Sequence, residues 1–433
     1  MSKIPSATSS SSKTAVNMAG VAAWLLCALF YFYQYMLRSA PSVMVPELTG
    51  AFGLTTLGIS ALLGMYYYTY SPVSLVAGAV LDRYGAKYSI PVGIVMVAMG
   101  SLLFGSGNHL YASLGRLLQG AGSAFGFVGA VFVATKSLPA RNLALAVGAT
   151  QMFGMAGGSA GQAGVNNLIH VQGIDWQMFW MLAGGAGVIL ALVLVLLLPK
   201  EKKEDTESGT ATGQRSIFSI FATYKVVFSN PQSYLCGLCA GLMFLPTTIG
   251  DMIWGVSYLT QGLHYDPLEA ARIASMVPLG WVIGCPLLGY LSDRIGRRKP
   301  VLIGGALVML VALVFALYID QSVIPGYAIA LTLGIASGAA MIPYSIIKEV
   351  NPDNVKASTA GAMNFLVFMM TAQLSPVFGY LLMHVSEHHG GKLAASDFEA
   401  ALMPLVFGIV LAVIIACFLE ETGSAKQAKS QAE

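Results

Sequence analysis

Twelve apolar stretches, each long enough to cross a bilayer, leave this chain one class of fold. A membrane helix needs about 20 mostly apolar residues. Runs of that kind cover 18–45, 56–80, 89–107, 110–134, 143–167, 176–198, 232–258, 268–291, 300–318, 325–347, 357–384 and 399–419. They fall six and six about a polar, low-complexity stretch that begins Lys200-Glu201-Lys202-Lys203. Charged residues make up 10% of the chain and apolar ones 56%, against roughly 25% and 45–50% in soluble domains. So few charges cannot cover a water-facing surface. The expected fold is an all-α membrane protein of twelve transmembrane helices in two six-helix bundles. Its expected parts are a disordered cytoplasmic tail (1–17), an N-terminal bundle (18–198), a cytoplasmic linker (199–231), a C-terminal bundle (232–419) and a cytoplasmic tail (420–433).

Lysine and arginine are retained on the cytoplasmic side of membranes. With the N-terminus inside, nineteen of the 23 fall in the tails, the inner loops and the linker, and only Arg272 and Lys392 fall outside. Both termini are therefore expected in the cytoplasm, and the protein in the inner (plasma) membrane. The first apolar run continues past signal-peptide length, so it is read as an uncleaved helix. A net charge of +3 speaks against nucleic acid as a partner. The lipid bilayer and a small-molecule substrate are the partners expected, with a monomer as the state. The five cysteines lie in apolar stretches. Cys236 and Cys239 have CxxC spacing without a second ligand pair, so no metal is expected. No GxxxxGK[ST] stretch is present, which excludes ATP-driven transport; no cofactor and no enzymatic activity are expected.

The halves are related. Gly78-Ala79-Val80-Leu81-Asp82-Arg83-Tyr84-Gly85-Ala86-Lys87 returns 211 positions later as Gly289-Tyr290-Leu291-Ser292-Asp293-Arg294-Ile295-Gly296-Arg297-Arg298, each copy in a charged loop between two apolar runs. Gly122 and Gly126 recur as Gly334 and Gly338 at an offset of 212. Parallel repeats of this kind build transporters whose substrate sits at mid-membrane between them. The loop resembles the signature loop of the major facilitator superfamily, and the resemblance covers nearly the whole chain. It implies a conformational latch at Gly78, Asp82, Arg83, Gly85, Lys87, Gly289, Asp293, Arg294, Gly296, Arg297 and Arg298, which closes the cytoplasmic side while the outside is open. Gly78 would let the second and eleventh helices approach, and Gly85 would permit the tight turn. Ala86 stands where the family has a basic residue, so the first copy is expected to hold less strongly than the second.

Two arginines lie within spans. Arg116, followed by Gln119, Gly120 and Gly122, resembles the family's second motif. Arg116, Gln119 and Ser123 share one helical face. An arginine that deep is either functional or ties carbonyls together within its own half. Tyr31, Gln34, Tyr35 and Arg38 form a polar-aromatic stripe at i, i+3, i+4 and i+7 on the first helix. Arg38 lies ~30 Å from the start of that span. It either lines a site or snorkels to the outer interface. The Tyr-x-x-Arg-x-x-Pro arrangement resembles the first helix of facilitators that carry organic anions, although Leu37 stands where those have an aspartate. Asp251 is the carboxylate placed within a span, a candidate for proton coupling or else an outer-end residue in water. Asn364 and Gln373, with Trp254 and Trp281, could line the second half of the cavity. The glycines of the fifth span (154, 157, 158, 161, 164) read as close helix packing.

The expected function is secondary active transport of a small polar solute by alternating access. An organic anion, amino acid or short peptide fits two converging guanidiniums, with a proton as a candidate co-substrate. The segments 37–44 and 348–364 also resemble bacterial relatives of the lysosomal dipeptide-carrying facilitators. The alternatives are an efflux carrier for drugs or siderophores, and a transport-silent membrane sensor or subunit.

Overall fold

The computed structural model describes residues 18–138, 140–198, 217–319, 324–352, 355–386 and 393–423, and among these there are helices and connections but no strand. Residues 1–17, 199–216 and 424–433, which include the first expected tail, most of the second (420–433) and over half of the linker, lie outside the described residues. The first half consists of α1 (Met18–Ser39), α2 (Thr56–Tyr84), α3 (Ala86–Phe104), α4 (His109–Ser137), α5 (Ala140–Ser159) and α6 (Trp176–Leu197). The second consists of α7 (Pro231–Leu245), α8 (Met276–Ile295), α9 (Lys299–Tyr318), α10 (Gly326–Ser337), α11 (Lys356–Ser386) and α12 (Ala395–Phe418). Each occupies one predicted span. Side-chain oxygens of Thr55, Asn108, Asp175 and Asn230 accept from first-turn amides of the helices they precede, which satisfies donors that a helix start leaves open. Gly85 and Gly296 end α2 and α8 with φ of 75° and 68°, a conformation that costs other residues a Cβ clash.

Ten helices are long and apolar enough to cross a membrane among the described residues, and eleven if the pair Val45–Phe52 and Thr56–Leu81, bent by 108°, is one span. The stretch around α5 is not among them. It packs on α1 of its own half and on the second half. A side chain at Gly157 or Gly161 would collide with the backbone of α1, while Gly158 faces Met252 and Pro278 of the other half. The lipid-facing surface is carried elsewhere, by residues such as Leu192, Leu196, Phe407 and Phe418, each more than half exposed.

The internal repeat is real in space but its register differs from the sequence match. A Cβ on Gly120 of α4 would overlap the carbonyl of Tyr66 in α2, and one on Gly334 of α10 would overlap the carbonyl of Val277 in α8. Tyr66 and Val277 are 211 apart, so Gly120, not Gly122, is the partner of Gly334. Gly122 instead lies against Gly93 of α3. The turn Gly338–Met341, wound as a 3-10 helix, interrupts α10 before it resumes as Ile342–Glu349.

The halves meet along two seams, α2 with α11 and α5 with α8. On the first, Ser60 Oγ donates to the Ser375 carbonyl at 2.6 Å and Ser375 Oγ donates to the Ser60 carbonyl at 3.0 Å. Ser71 Oγ donates to Phe365 O at 2.8 Å further along. Residues 217–229, expected as plain linker, form a helix (Ile217–Ser229). Its aromatic residues make that possible: Tyr224 is buried and donates to Leu75 O of α2 at 2.7 Å, while Thr223 bonds Ser358 of α11 at 2.7 Å.

Candidate functional site

The last turn of α1 delivers Arg38 to the junction of the two halves. The stripe predicted there is present, and Tyr31, Gln34, Tyr35 and Arg38 are all buried. Arg38 is 3% exposed, which rules out snorkelling. Its guanidinium carbon lies 4.1 Å from the centre of the Tyr35 ring, 4.7 Å from Tyr66, 5.6 Å from Tyr67, 4.7 Å from Tyr70 and 5.2 Å from Phe368. The run Tyr66-Tyr67-Tyr68-Thr69-Tyr70 of α2 supplies three of these rings, and Phe368 comes from α11. Such a cage attracts a cation through the negative ring faces. Nη2 of Arg38 donates to Tyr66 Oη at 2.9 Å and to Gln34 Oε1 at 3.4 Å, and Tyr66 Oη donates to the same Gln34 oxygen at 2.7 Å. Nε and Nη1 of Arg38 and Nε2 of Gln34 have no hydrogen-bond partner. Tyr31 points the other way, its hydroxyl donating to Gln151 of α5 at 3.2 Å.

Arg116 is directed mainly to its own half, although its Nε has no hydrogen-bond partner. Its Nη1 donates to Gln119 Oε1 at 2.9 Å and to Leu37 O at 3.5 Å, and its Nη2 to Leu63 O at 3.2 Å. These acceptors belong to α1, α2 and α4, so the guanidinium ties three helices of one half together. Its carbon lies 5.1 Å from the Tyr66 ring centre, so both arginines contact Tyr66. Gln119 is directed to Arg116 and, through Nε2, to Ser101 of α3 at 3.3 Å. The shared face of Arg116 and Gln119 was legible in the sequence. That the face points at backbone carbonyls was not.

In the second half, Asn364 Oδ1 accepts from Tyr344 at 3.0 Å and Trp281 Nε1 donates to Thr247 at 2.9 Å. Phe244 packs between Trp281 and Phe368, with ring centres 4.7 and 5.6 Å away. Gln373 is corrected: it is exposed and reaches only Met369 Sδ, at 3.6 Å. It lies two residues from the buried Thr371 and Ser375, which on an α-helix is about 200° away from their face. Asp251 ends a π-helical turn (Pro246–Asp251) that continues α7. It is buried, not an outer-end residue in water, and its Oδ2 accepts from Gln162 Nε2 at 3.0 Å across the junction. Gln162 itself sits in a π-helical turn (Ala160–Gly164) that continues α5. Sequence reasoning missed Tyr66, Tyr67, Tyr70, Phe368 and Gln162. The tyrosine run was a usable signal; nothing local marked Phe368 or Gln162.

The signature loops hold each half together. Lys87 Nζ donates to Leu198 O at 2.7 Å, at the end of α6, and Arg83 is exposed beside Tyr84. The side chain of Asp82 lies outside the described residues. In the second copy Arg298 bonds Asp293 at 2.5 Å and Glu349 at 2.8 Å, and Glu421 accepts from the amides of Arg298 and Lys299 and pairs with Arg297 at 3.7 Å. Arg294 is exposed. Every described side-chain bond of this loop stays within the second half. The expected close approach at Gly78 is also corrected, since a Cβ there would meet only Val128 of α4, at 3.9 Å, and one at Gly289 would meet nothing within 4 Å. The approach of α2 to α11 is made instead at Gly64, Gly361 and Gly379. Asp293 is 68% exposed at its side chain and Glu349 only 26%. Exposed ion pairs contribute about 0–1 kcal/mol. Thermal unfolding in detergent should therefore show a larger loss for Glu349→Gln than for Asp293→Asn.

The profile described as Major Facilitator Superfamily matches residues 27–380. The membrane sensor protein UhpC of Salmonella typhimurium (strain LT2) is 27% identical over 304 residues, 64% of this chain and 64% of that protein. The chain thus spans just under two thirds of that relative's length. The probable sulfoacetate transporter SauU of Cupriavidus necator is 23% identical over 374 residues, covering 82% of this chain and 85% of SauU. Among solved structures, a bacterial homologue of the human lysosomal transporter Spinster, inward-facing and occupied, superposes with a TM-score of 0.70 over 92% of this chain and 96% of that one, at 16% identity.

Proposed function

Because the chain belongs to the Major Facilitator Superfamily, we propose that it is a secondary transporter that carries a small organic anion by alternating access, with Arg38 meeting the anion. One observation supports this reading above the others. Arg38 is buried at the junction of the halves, and two of its guanidinium nitrogens have no hydrogen-bond partner. A buried charged donor left unsatisfied is costly, and a carboxylate or sulfonate on those nitrogens would remove the cost and supply a charge-assisted bond. Gln34 Nε2, also unpartnered, would donate to the same anion. Tyr35, Tyr66, Tyr67 and Tyr70 hold the guanidinium in place for it, and Asn364 with Tyr344 is the group proposed to meet the substrate from the second half. Arg116 ties α1 and α2 to α4 behind Tyr66 as a structural group outside the anion site. The name of SauU, a sulfoacetate transporter, is in keeping with an anionic substrate; an amino acid or short peptide would present its carboxylate in the same way.

Alternating access would proceed by rocking of one six-helix half on the other about the α2–α11 and α5–α8 seams. In that cycle Asp251 is the group proposed to carry a co-transported proton, and its bond to Gln162 the contact that parts when the face bearing Val45–Phe52 opens. The inner membrane, with both termini in the cytoplasm, is the proposed location. In proteoliposomes Asp251→Asn is expected to lose gradient-driven accumulation of the anion while keeping its exchange across the membrane. Unchanged accumulation would remove the proton from the scheme.

A second reading, a membrane sensor, is favoured by the likeness to UhpC. A sensor would bind the anion at Arg38 but show neither accumulation nor exchange in the same vesicles.

A further inference from the structure

Four of the five rings around Arg38 belong to its own half, and the fifth, Phe368, belongs to the other. Phe368 is buried on α11 and sits against both faces of the junction. It stacks on Tyr67 with centres 5.9 Å apart and planes 10° apart, and meets Tyr70 edge-on at 4.8 Å. On its other side it touches Phe244 of α7 at 5.6 Å. The cage of the arginine is therefore complete only when α2 and α11 are together at this level.

We propose that Phe368 is the positioning residue that couples occupancy of Arg38 to the apposition of the two halves. In the empty carrier the bare guanidinium is attracted to the Phe368 ring, which adds to the grip of the α2–α11 seam. An anion that pairs with Arg38 neutralises the charge that the ring face attracts. The seam then loses that increment, and the halves are freer to rock. Anion binding and closure of this seam thus draw on one cation, which is a differential interaction of the kind a ligand needs to shift a conformational equilibrium. The inference rests on Arg38 as the anion group, but its first test requires no ligand.

Spin labels at Gly50 and Glu269 on one face, and at Lys136 and Pro352 on the other, report the separation of the halves in the ligand-free protein. All four positions are exposed. Arg38→Met and Phe368→Leu, both close in volume to the residues they replace, should each change the ratio of the two conformers by roughly two- to thirtyfold, the range of cation–π contacts from exposed to desolvated. The double mutant should change it no further than either single one, whereas Phe368→Tyr, which keeps a ring, should stay near wild type. Additive single effects, or distance distributions that neither substitution moves, would reduce Phe368 to a packing residue and overturn the coupling. The anion reading is examined separately, by uptake of sulfoacetate and succinate into vesicles carrying Arg38→Met. Uptake at the wild-type rate would sink that reading while leaving the ligand-free cycle as it stands.

Discussion

Arg38→Lys should raise the anion concentration for half-maximal transport about ten- to hundredfold, because one charged hydrogen bond, worth about 1.5–3 kcal/mol, is lost. Lysine keeps the charge and can still face the rings. It loses the planar set of donors, of which Nη2 already serves Gln34 and Tyr66. A single ammonium cannot hold those two groups and also present free N–H groups to a carboxylate or sulfonate. The control is the substrate: replacing its carboxylate by an amide should cost the wild type affinity and cost the variant little. Transport assays that give Arg38→Lys a wild-type concentration dependence would remove Arg38 from the binding site.

Arg116→Ala should damage the fold and spare selectivity. The change leaves Leu37 O, Leu63 O and Gln119 Oε1 without their donor, and it opens a void where one of the largest fully buried side chains stood. Hydrogen bonds between membrane helices average only about 0.6 kcal/mol, so the void and the unpaired Gln119 oxygen dominate. Together they should cost about 2–5 kcal/mol. Unfolding in detergent measures this directly, and the folded fraction should bind the anion with unchanged affinity. A stable Arg116→Ala protein that has lost anion binding would restore the two-arginine receptor that the sequence suggested.

Those two arginines mark where sequence reasoning succeeded and where it stopped. Both stand on helical faces that spacing reveals, and both were expected to converge on one ligand. They do approach one ring, that of Tyr66, at 4.7 and 5.1 Å from its centre. Yet Arg116 is occupied by carbonyls that come from residues 37 and 63, and no local pattern announces such partners. Asn364 and Gln373 carry the same lesson. Nine positions separate them on one helix, and the rotation that buries the first leaves the second exposed.

The sequence by itself determined what depends on neighbours along the chain. Apolar length set the spans, because an unpaired backbone cannot stay in lipid and must close into helices. The repeated charged loop set the division into two related halves. The spacing of Tyr31, Gln34, Tyr35 and Arg38 set the buried stripe. Tertiary structure alone decided which helix meets which, and therefore the role of each polar group. It brought Phe368 to an arginine 330 positions earlier, paired Gln162 with Asp251 across the junction, turned residues 217–229 into a helix bridging both halves, and moved the repeat register from Gly122 to Gly120. The physical reason is common to all four. A buried donor, charge or ring takes its meaning from atoms within a few ångströms, and in a bundle of long helices those atoms come from distant parts of the chain.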